Sequence, residues 1–246
     1  MFTPERRDAV QSWLLRTAEA DEAIVGAAFT GSHGSGTPDR WSDTDLVLAV
    51  RGDLARAVSR WTSRLYDDWD VRHHWDLVSQ PGLIRVFLLP DWLEVDLTFA
   101  PESHFAPRGP QWSLVFGAAG PRDDFPAPDP NVLAGHVWHH ALHTWICLRR
   151  QRFWQAEHWI SALRDRTITL ACMRLGLPGA YAKGAHLLPA DLAHSLEATL
   201  VRTLDEPELR RAFTAALIVV TGELQRCDPE LATRLGPMLS HLIDAR

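Results

Sequence analysis

The residues best suited to chemistry are two acidic pairs and a glycine-serine pair. Asp43 and Asp45 flank Thr44 at the head of one apolar run, and Glu94 and Asp96 flank Val95 within another. Side chains alternate between the faces of a strand, so Asp43 projects with Asp45, and Glu94 with Asp96. A neighbouring strand bearing Asp96 completes a three-carboxylate set. Such a set repels itself unless a cation or a proton intervenes. Magnesium prefers a few carboxylates together with substrate phosphates and water. Two ions held there would activate a hydroxyl and neutralise charge on phosphorus and on a departing pyrophosphate. Asp43, Asp45 and Asp96 are therefore expected to ligate two Mg2+ ions, with Asp96 assisting deprotonation. Glu94 is expected on the same face as Asp96, as a further ligand or as the base for an acceptor hydroxyl. The alternative for Glu94 is an edge residue turned to solvent.

The run Ala27-Ala28-Phe29-Thr30-Gly31-Ser32 reads as a strand entering a tight turn. Gly31 allows backbone amides close approach to a phosphate, a following helical turn adds N–H groups, and Ser32 adds a hydroxyl. Gly31 and Ser32 are expected to hold a triphosphate. The segment from Gly31 to Gly36 lacks the Lys-Ser/Thr ending of a Walker loop, which excludes a P-loop ATPase.

Gly31-Ser32, a spacer of about ten residues, Asp43-Thr44-Asp45-Leu46 and the later Asp96-Leu97-Thr98 together resemble the polymerase-beta-type nucleotidyltransferase superfamily. Within it the chain looks most like the aminoglycoside and lincosamide adenylyltransferases, with the match strongest over residues 20–100. The resemblance implies transfer of a nucleoside monophosphate, AMP from ATP or another nucleoside triphosphate, to a hydroxyl of a small-molecule antibiotic. It also implies a catalytic domain followed by a helical one, with substrates in the cleft between them. Lys183 is the only lysine of the chain, and its surroundings, Leu175-Gly176 and Leu188-Pro189, resemble the stretch where a lysine approaches ATP in the aminoglycoside enzymes. The alternative is a solvated loop lysine. Two other functions are open: adenylylation of a protein partner, as in toxin-antitoxin pairs, and non-catalytic nucleotide binding. The large helical half argues against the first, and retention of all three aspartates against the second.

The elements that must position these residues are legible as periodicities. Helices are expected at 4–19 and 53–67, the latter from Leu54, Val58, Trp61 and Leu65 at helical spacing, and strands at 23–30, 44–50, 71–78, 83–89 and 92–99. A connector rich in proline, glycine and aspartate is expected from Pro101 to Pro130. Beyond it, helical periods cover 131–150, 153–176, 190–203, 206–226 and 228–244. The expected fold is α+β: a small mixed-sheet nucleotidyltransferase domain over 1–125, then an α-helical bundle over 131–246 for substrate and nucleotide binding.

Several polar groups of the helical half need weighing. Trp154, Glu157, Ser161 and Arg164 share one face of a long helix, so Glu157 is a candidate contact for a cationic acceptor or a base, against a solvent-facing strip of Arg-Glu pairs. His136, His139, His140 and His143 are spaced as neighbours on one helix, but no glutamate of a His-Glu-x-x-His motif intervenes, so packing or substrate contact is expected rather than zinc. The Asp67-Asp68-Trp69-Asp70 and Asp123-Asp124 runs read as solvated turn and connector features.

Composition narrows the classes. The chain has 246 residues, 46% hydrophobic, with 25 Lys+Arg against 31 Asp+Glu, and the acidic excess lies in the amino-terminal half. A protein tracking nucleic acid would carry a basic stripe, so no nucleic-acid partner is expected. An acidic mouth suits a cationic acceptor. Cys147, Cys172 and Cys227 are widely separated without CxxC spacing, so neither disulfides nor zinc are expected. Neither a signal peptide's apolar core nor a run of about 20 apolar residues is present, so a cytoplasmic protein without membrane partners is expected. Oligomeric state is not readable from periodicity.

Overall fold

A computed structural model describes residues 1–79, 81–126 and 128–244. The chain divides into two compact units, Met1–Pro126 and Ala127–Arg246. Ala127 of the expected connector, and residues 245 and 246 at the end of the expected helical domain, lie outside the described residues.

The first unit begins with α1 (Pro4–Glu19). Thr3 caps it by accepting from the Arg6 amide at 3.2 Å, and Pro4 supplies a fixed φ in the first turn. There follow β1 (Ile24–Thr30), α2 (Gly31–Gly34), β2 (Thr44–Val50), α3 (Leu54–Trp69), β3 (His73–Ser79), β4 (Gly82–Leu88), β5 (Glu94–Pro101) and β6 (Trp112–Phe116). The sheet runs in the order β3-β4-β5-β2-β1-β6. Among the described residues only β2 and β5 pair in parallel; the other neighbours are antiparallel. A parallel pair cannot be joined by a tight turn, and here α3 with the β3-β4 hairpin makes the crossover.

Alternation along the strands divides the unit's apolar residues between two faces. Leu46, Leu48, Val95, Leu97 and Phe99 join Val10 and Leu14 of α1 and Val58, Trp61 and Leu65 of α3 in the main core. Each fully buried side chain of this size contributes about 1.5–3 kcal/mol. Val47, Ala49, Ala100 and Ala28 look the other way, onto Phe105. Between β1 and α3, buried Asp21 accepts from Arg60, Arg64 and the Trp61 indole at 2.8–3.1 Å. Burial pushes the Asp21 carboxyl up, but the hydrogen bonds from Arg60 and the Ala23 amide, together with the charges of Arg60 and Arg64, hold it below the usual range.

The expected connector at 101–130 is corrected in one respect: it contains β6, which pairs with β1 from Ala27↔Phe116 to Thr30↔Trp112. Five residues between Pro110 and Gly117 carry too little local pattern to stand out. They become a strand by borrowing the ladder of β1. Gly117 sits at φ 90°, a conformation side chains rarely adopt, and closes the strand against the Val25 carbonyl.

The second unit is helical: α4 (Pro130–Arg149), α5 (Phe153–Arg174), α6 (Ala190–Glu197), α7 (Glu206–Cys227) and α8 (Pro229–Asp244). Val137, Ala141, Ile160, Leu163, Phe213 and Val220 lie in its core. Gly176, at φ 68°, ends α5, with the Leu177 amide returning to the Cys172 carbonyl at 2.8 Å. Helix α6 is shorter than the expected 190–203. Arg211 donates to the carbonyls of Ala198 and Leu200, and Arg164 to that of Thr199, so side chains hold carbonyls a longer helix would have used. The fold is thus α+β, a mixed sheet followed by a helical region. Among the described residues, no helix is long and apolar enough to cross a membrane.

Candidate active site

Parallel pairing of β2 with β5 sets Asp45 directly opposite Asp96. Both point away from the core shared with α1 and α3, because the alternate residues Leu46, Leu48, Val95 and Leu97 occupy that core. Asp43 lies two residues ahead of Asp45, separated from it by fully buried Thr44. Its charge acts on Glu94. Glu94, two residues before Asp96, completes an acidic ridge on one side of the sheet. The Glu94 carboxyl is raised above its ordinary value, first by partial desolvation and then by the Asp43 charge.

The glycine-serine turn abuts this ridge. Gly31 adopts φ 59°, and a Cβ placed there would run into the Asp45 carboxylate. Glycine adopts this conformation without strain and leaves room for the Asp45 carboxylate. The following residues form the one-turn helix α2, in which Ser35 Oγ donates to the Ser32 carbonyl at 3.0 Å. Ser32 Oγ is buried, and among the described residues no group hydrogen-bonds to it. A buried hydroxyl without a partner is costly unless a ligand satisfies it.

Helix α1 holds both parts of the site in place, a role sequence reasoning missed. Arg7, 6% exposed, donates from Nη1 to the carbonyls of Asp39 (2.6 Å) and Ser42 (3.3 Å) in the spacer loop. One turn later, Gln11 Nε2 donates to Thr44 Oγ1 at 3.2 Å and meets His33 Nε2 at 3.0 Å. With the amide as donor, His33 accepts as a neutral ring. Burial, then the Arg7 charge, lowers the His33 pKa, against the opposite pull of Asp8 and Asp43. The spacer also braces itself, since Asp39 Oδ1 accepts from the Trp41 amide (2.7 Å) and Ser42 Oγ (3.2 Å). A signal was present in the sequence: Arg7 falls on the stripe of Val10, Leu14 and Ala18, where an apolar residue would ordinarily stand.

Among the described residues, no three His, Cys, Asp or Glu side chains converge as a ready-made metal nest. The strand alternation sets Asp43, Asp45 and Asp96 on one face. The donor chemistry suits magnesium, being all carboxylate oxygen beside a turn open to phosphate.

Glu157 and Lys183 belong to the second unit. Glu157 accepts from Ser161 Oγ at 2.6 Å, and Ser161 Oγ accepts from Arg164 Nη2 at 2.9 Å, so three of the four residues read as one helix face are joined; Trp154 stands 77% exposed. Lys183 is exposed, in a loop where Tyr181 (φ 52°) and Ala182 (φ 56°) adopt left-handed backbone. His136, His139, His140 and His143 cluster on α4, with His139, His140 and His143 against the Trp159 ring of α5 at 5.1–5.5 Å between centroids. Asp68 accepts from the Trp13 indole, Asp70 pairs with Arg72, and Asp123 with Arg108, so the other acidic runs brace local structure.

No family model matches the sequence, and no curated protein matches it. Among solved structures, the chain is similar to an aminoglycoside 6-adenyltransferase from Bacillus subtilis, with a TM-score of 0.41 and 10% identity over 98% of this chain and 99% of that one. The functional reading therefore rests on the residues of the site itself.

Proposed function

We propose that this chain is a nucleotidyltransferase that moves a nucleoside monophosphate, AMP from ATP, onto a hydroxyl of a small molecule of the aminoglycoside or lincosamide antibiotic class. The observation that carries the reading is the Asp45↔Asp96 register beside the Gly31 turn. It is supported by the unsatisfied Ser32 hydroxyl, which fits a phosphate oxygen, and by the all-carboxylate donor set. Bound magnesium would supply charge neutralisation on the triphosphate and on the leaving pyrophosphate. Asp43, Asp45 and Asp96 would hold it.

The chain's own residues do the rest. Gly31 and Ser32 bind the triphosphate. Glu94, or Asp96, accepts the proton of the acceptor hydroxyl as its oxygen bonds to the α-phosphorus and the bond to the bridging oxygen of pyrophosphate breaks. A carboxylate raised above its ordinary pKa is a better base at neutral pH than an unperturbed one. The three cysteines are free, which agrees with a cytoplasmic setting.

The test is incubation of the purified chain and Mg2+ with each nucleoside triphosphate and a panel of aminoglycosides and lincosamides, read by mass spectrometry. An acceptor heavier by one nucleoside monophosphate, with stoichiometric pyrophosphate, is expected. Absence of any such product across all four nucleotides, or full activity in Asp45→Asn, overturns the reading.

A further inference from the structure

The helical unit contains a cavity unrelated to the acidic ridge. It has a volume of about 430 Å3, between α6 on one wall and α7 with the end of α5 on the other. That is within the usual range for a small-molecule site.

Its polar end is built around Glu223. This side chain is fully buried, yet it binds two guanidinium groups. Arg174 donates from Nε (3.0 Å) and Nη2 (3.3 Å), and Arg226 from Nη1 (2.7 Å). One bidentate arginine would already neutralise the carboxylate, so the second is surplus to burying it. Among the described residues, no carboxylate or carbonyl takes Nη1 of Arg174 or Nε and Nη2 of Arg226. Two guanidinium groups are thus held on one carboxylate, each with N–H groups left to water or a ligand, the Arg226 side chain being 55% exposed. On the facing wall stand Asp191 of α6 and, one turn on, Ser195, whose Oγ donates to the Asp191 carbonyl at 2.8 Å. Leu192, Val219 and Ile218 line the space between.

Charge accounting selects the ligand. Arg174 and Arg226 balance Glu223 and Asp191, so the lining is neutral overall but divided. A simple anion would meet Asp191, and a simple cation would meet the arginines. We propose that this cavity binds a small zwitterion with an apolar body, of the chemical class of an aliphatic α-amino acid. Its carboxylate takes the spare N–H groups of Arg174 and Arg226, its ammonium faces Asp191, and its side chain lies on Leu192, Val219 and Ile218. The inference is independent of nucleotidyl transfer.

The experiment is calorimetric titration of the intact chain with L-leucine, 4-methylpentanoate (no ammonium), isoamylamine (no carboxylate) and inorganic phosphate. Saturable 1:1 binding of leucine is expected at millimolar concentrations or below, at least tenfold tighter than either half-charged analogue or phosphate. Arg226→Leu and Asp191→Asn alter exposed side chains, and each should weaken leucine at least tenfold while circular dichroism and melting stay unchanged. Leucine binding no tighter than its analogues or phosphate, no binding at about 10 mM, or binding unaffected in both variants overturns the proposal. If the variants lose fold, Ile218→Asp, which alters only the apolar wall, replaces them under the same criterion.

Discussion

Gly31 and Asp45 are packed so closely that a methyl group on the glycine would run into the aspartate's carboxylate. The contact joins the start of α2 to β2 and makes the turn and the acidic ridge one structural object. Gly31→Ala should cost about 1–3 kcal/mol, from left-handed backbone and from displacement of Asp45. Nucleotide affinity should fall at least tenfold. Chemical denaturation and nucleotide titration read the two effects separately, and an alanine variant with unchanged stability would contradict the packing.

Asp45 and Asp96 are like charges on directly opposed residues of paired strands, an arrangement that destabilises a sheet by up to about 1 kcal/mol. Asp96→Asn should therefore melt at or above the temperature of the unsubstituted chain in metal-free buffer, while losing transfer by at least a hundredfold. Magnesium should raise the melting temperature of the parent chain and have a smaller effect on the variant. Equal magnesium stabilisation of both would remove Asp96 from the ligand set.

Glu94 carries a raised pKa because partial desolvation and the nearby Asp43 charge both disfavour its ionised form. A base must be deprotonated to act, so activity should fall on the acid side as Glu94 takes up a proton. Glu94→Gln should lower kcat by about 10²–10⁴-fold and abolish that fall. A variant with the parent profile removes Glu94 as the base.

Arg7 is a positioning residue: it touches the spacer loop through the Asp39 and Ser42 carbonyls. Replacing it by methionine removes these bonds, at a cost of about 1–3 kcal/mol, hydrogen bonds from a charged donor being worth more than neutral ones. If its task is to hold Asp43 in place, magnesium-dependent activity should fall and recover in part at higher magnesium. Recovery by Arg7→Lys should be incomplete, since one ammonium reaches both carbonyls less well than a planar fork.

His140 has its pKa lowered to about 4, by burial first and then by His136, His139, Arg166 and His158, all positive or neutral. The folded value lies below the unfolded one near 6.5, so the unfolded chain binds the proton more readily. Stability supplied by the neutral ring is therefore present above pH 6.5 and is lost as pH falls toward 4. Urea midpoints should fall between pH 7 and pH 4.5, and His140→Gln should flatten that dependence. Parallel curves for the two chains would show that the acid sensitivity arises elsewhere.

Much of this was legible along the chain because it depends on periods of two and of 3.6. Alternation alone puts Asp43 with Asp45 and Glu94 with Asp96, and helical spacing alone identifies the apolar face of α3 and the long helices of the second unit. Tertiary structure decided what the periods leave open. Nothing local says that β2 lies parallel to β5 in a register that opposes Asp45 to Asp96, with a helix and a hairpin between them in sequence. That register is selected by burying Leu46 and Leu48 beside Leu97 and Phe99. Strand β6 exists because β1 offers it an unpaired ladder, α6 stops early because Arg164 and Arg211 reach its carbonyls from other helices, and Arg7 matters because the spacer loop folds onto α1. Each of these is a bond between residues remote in sequence, whose partner is named only when the chain has packed.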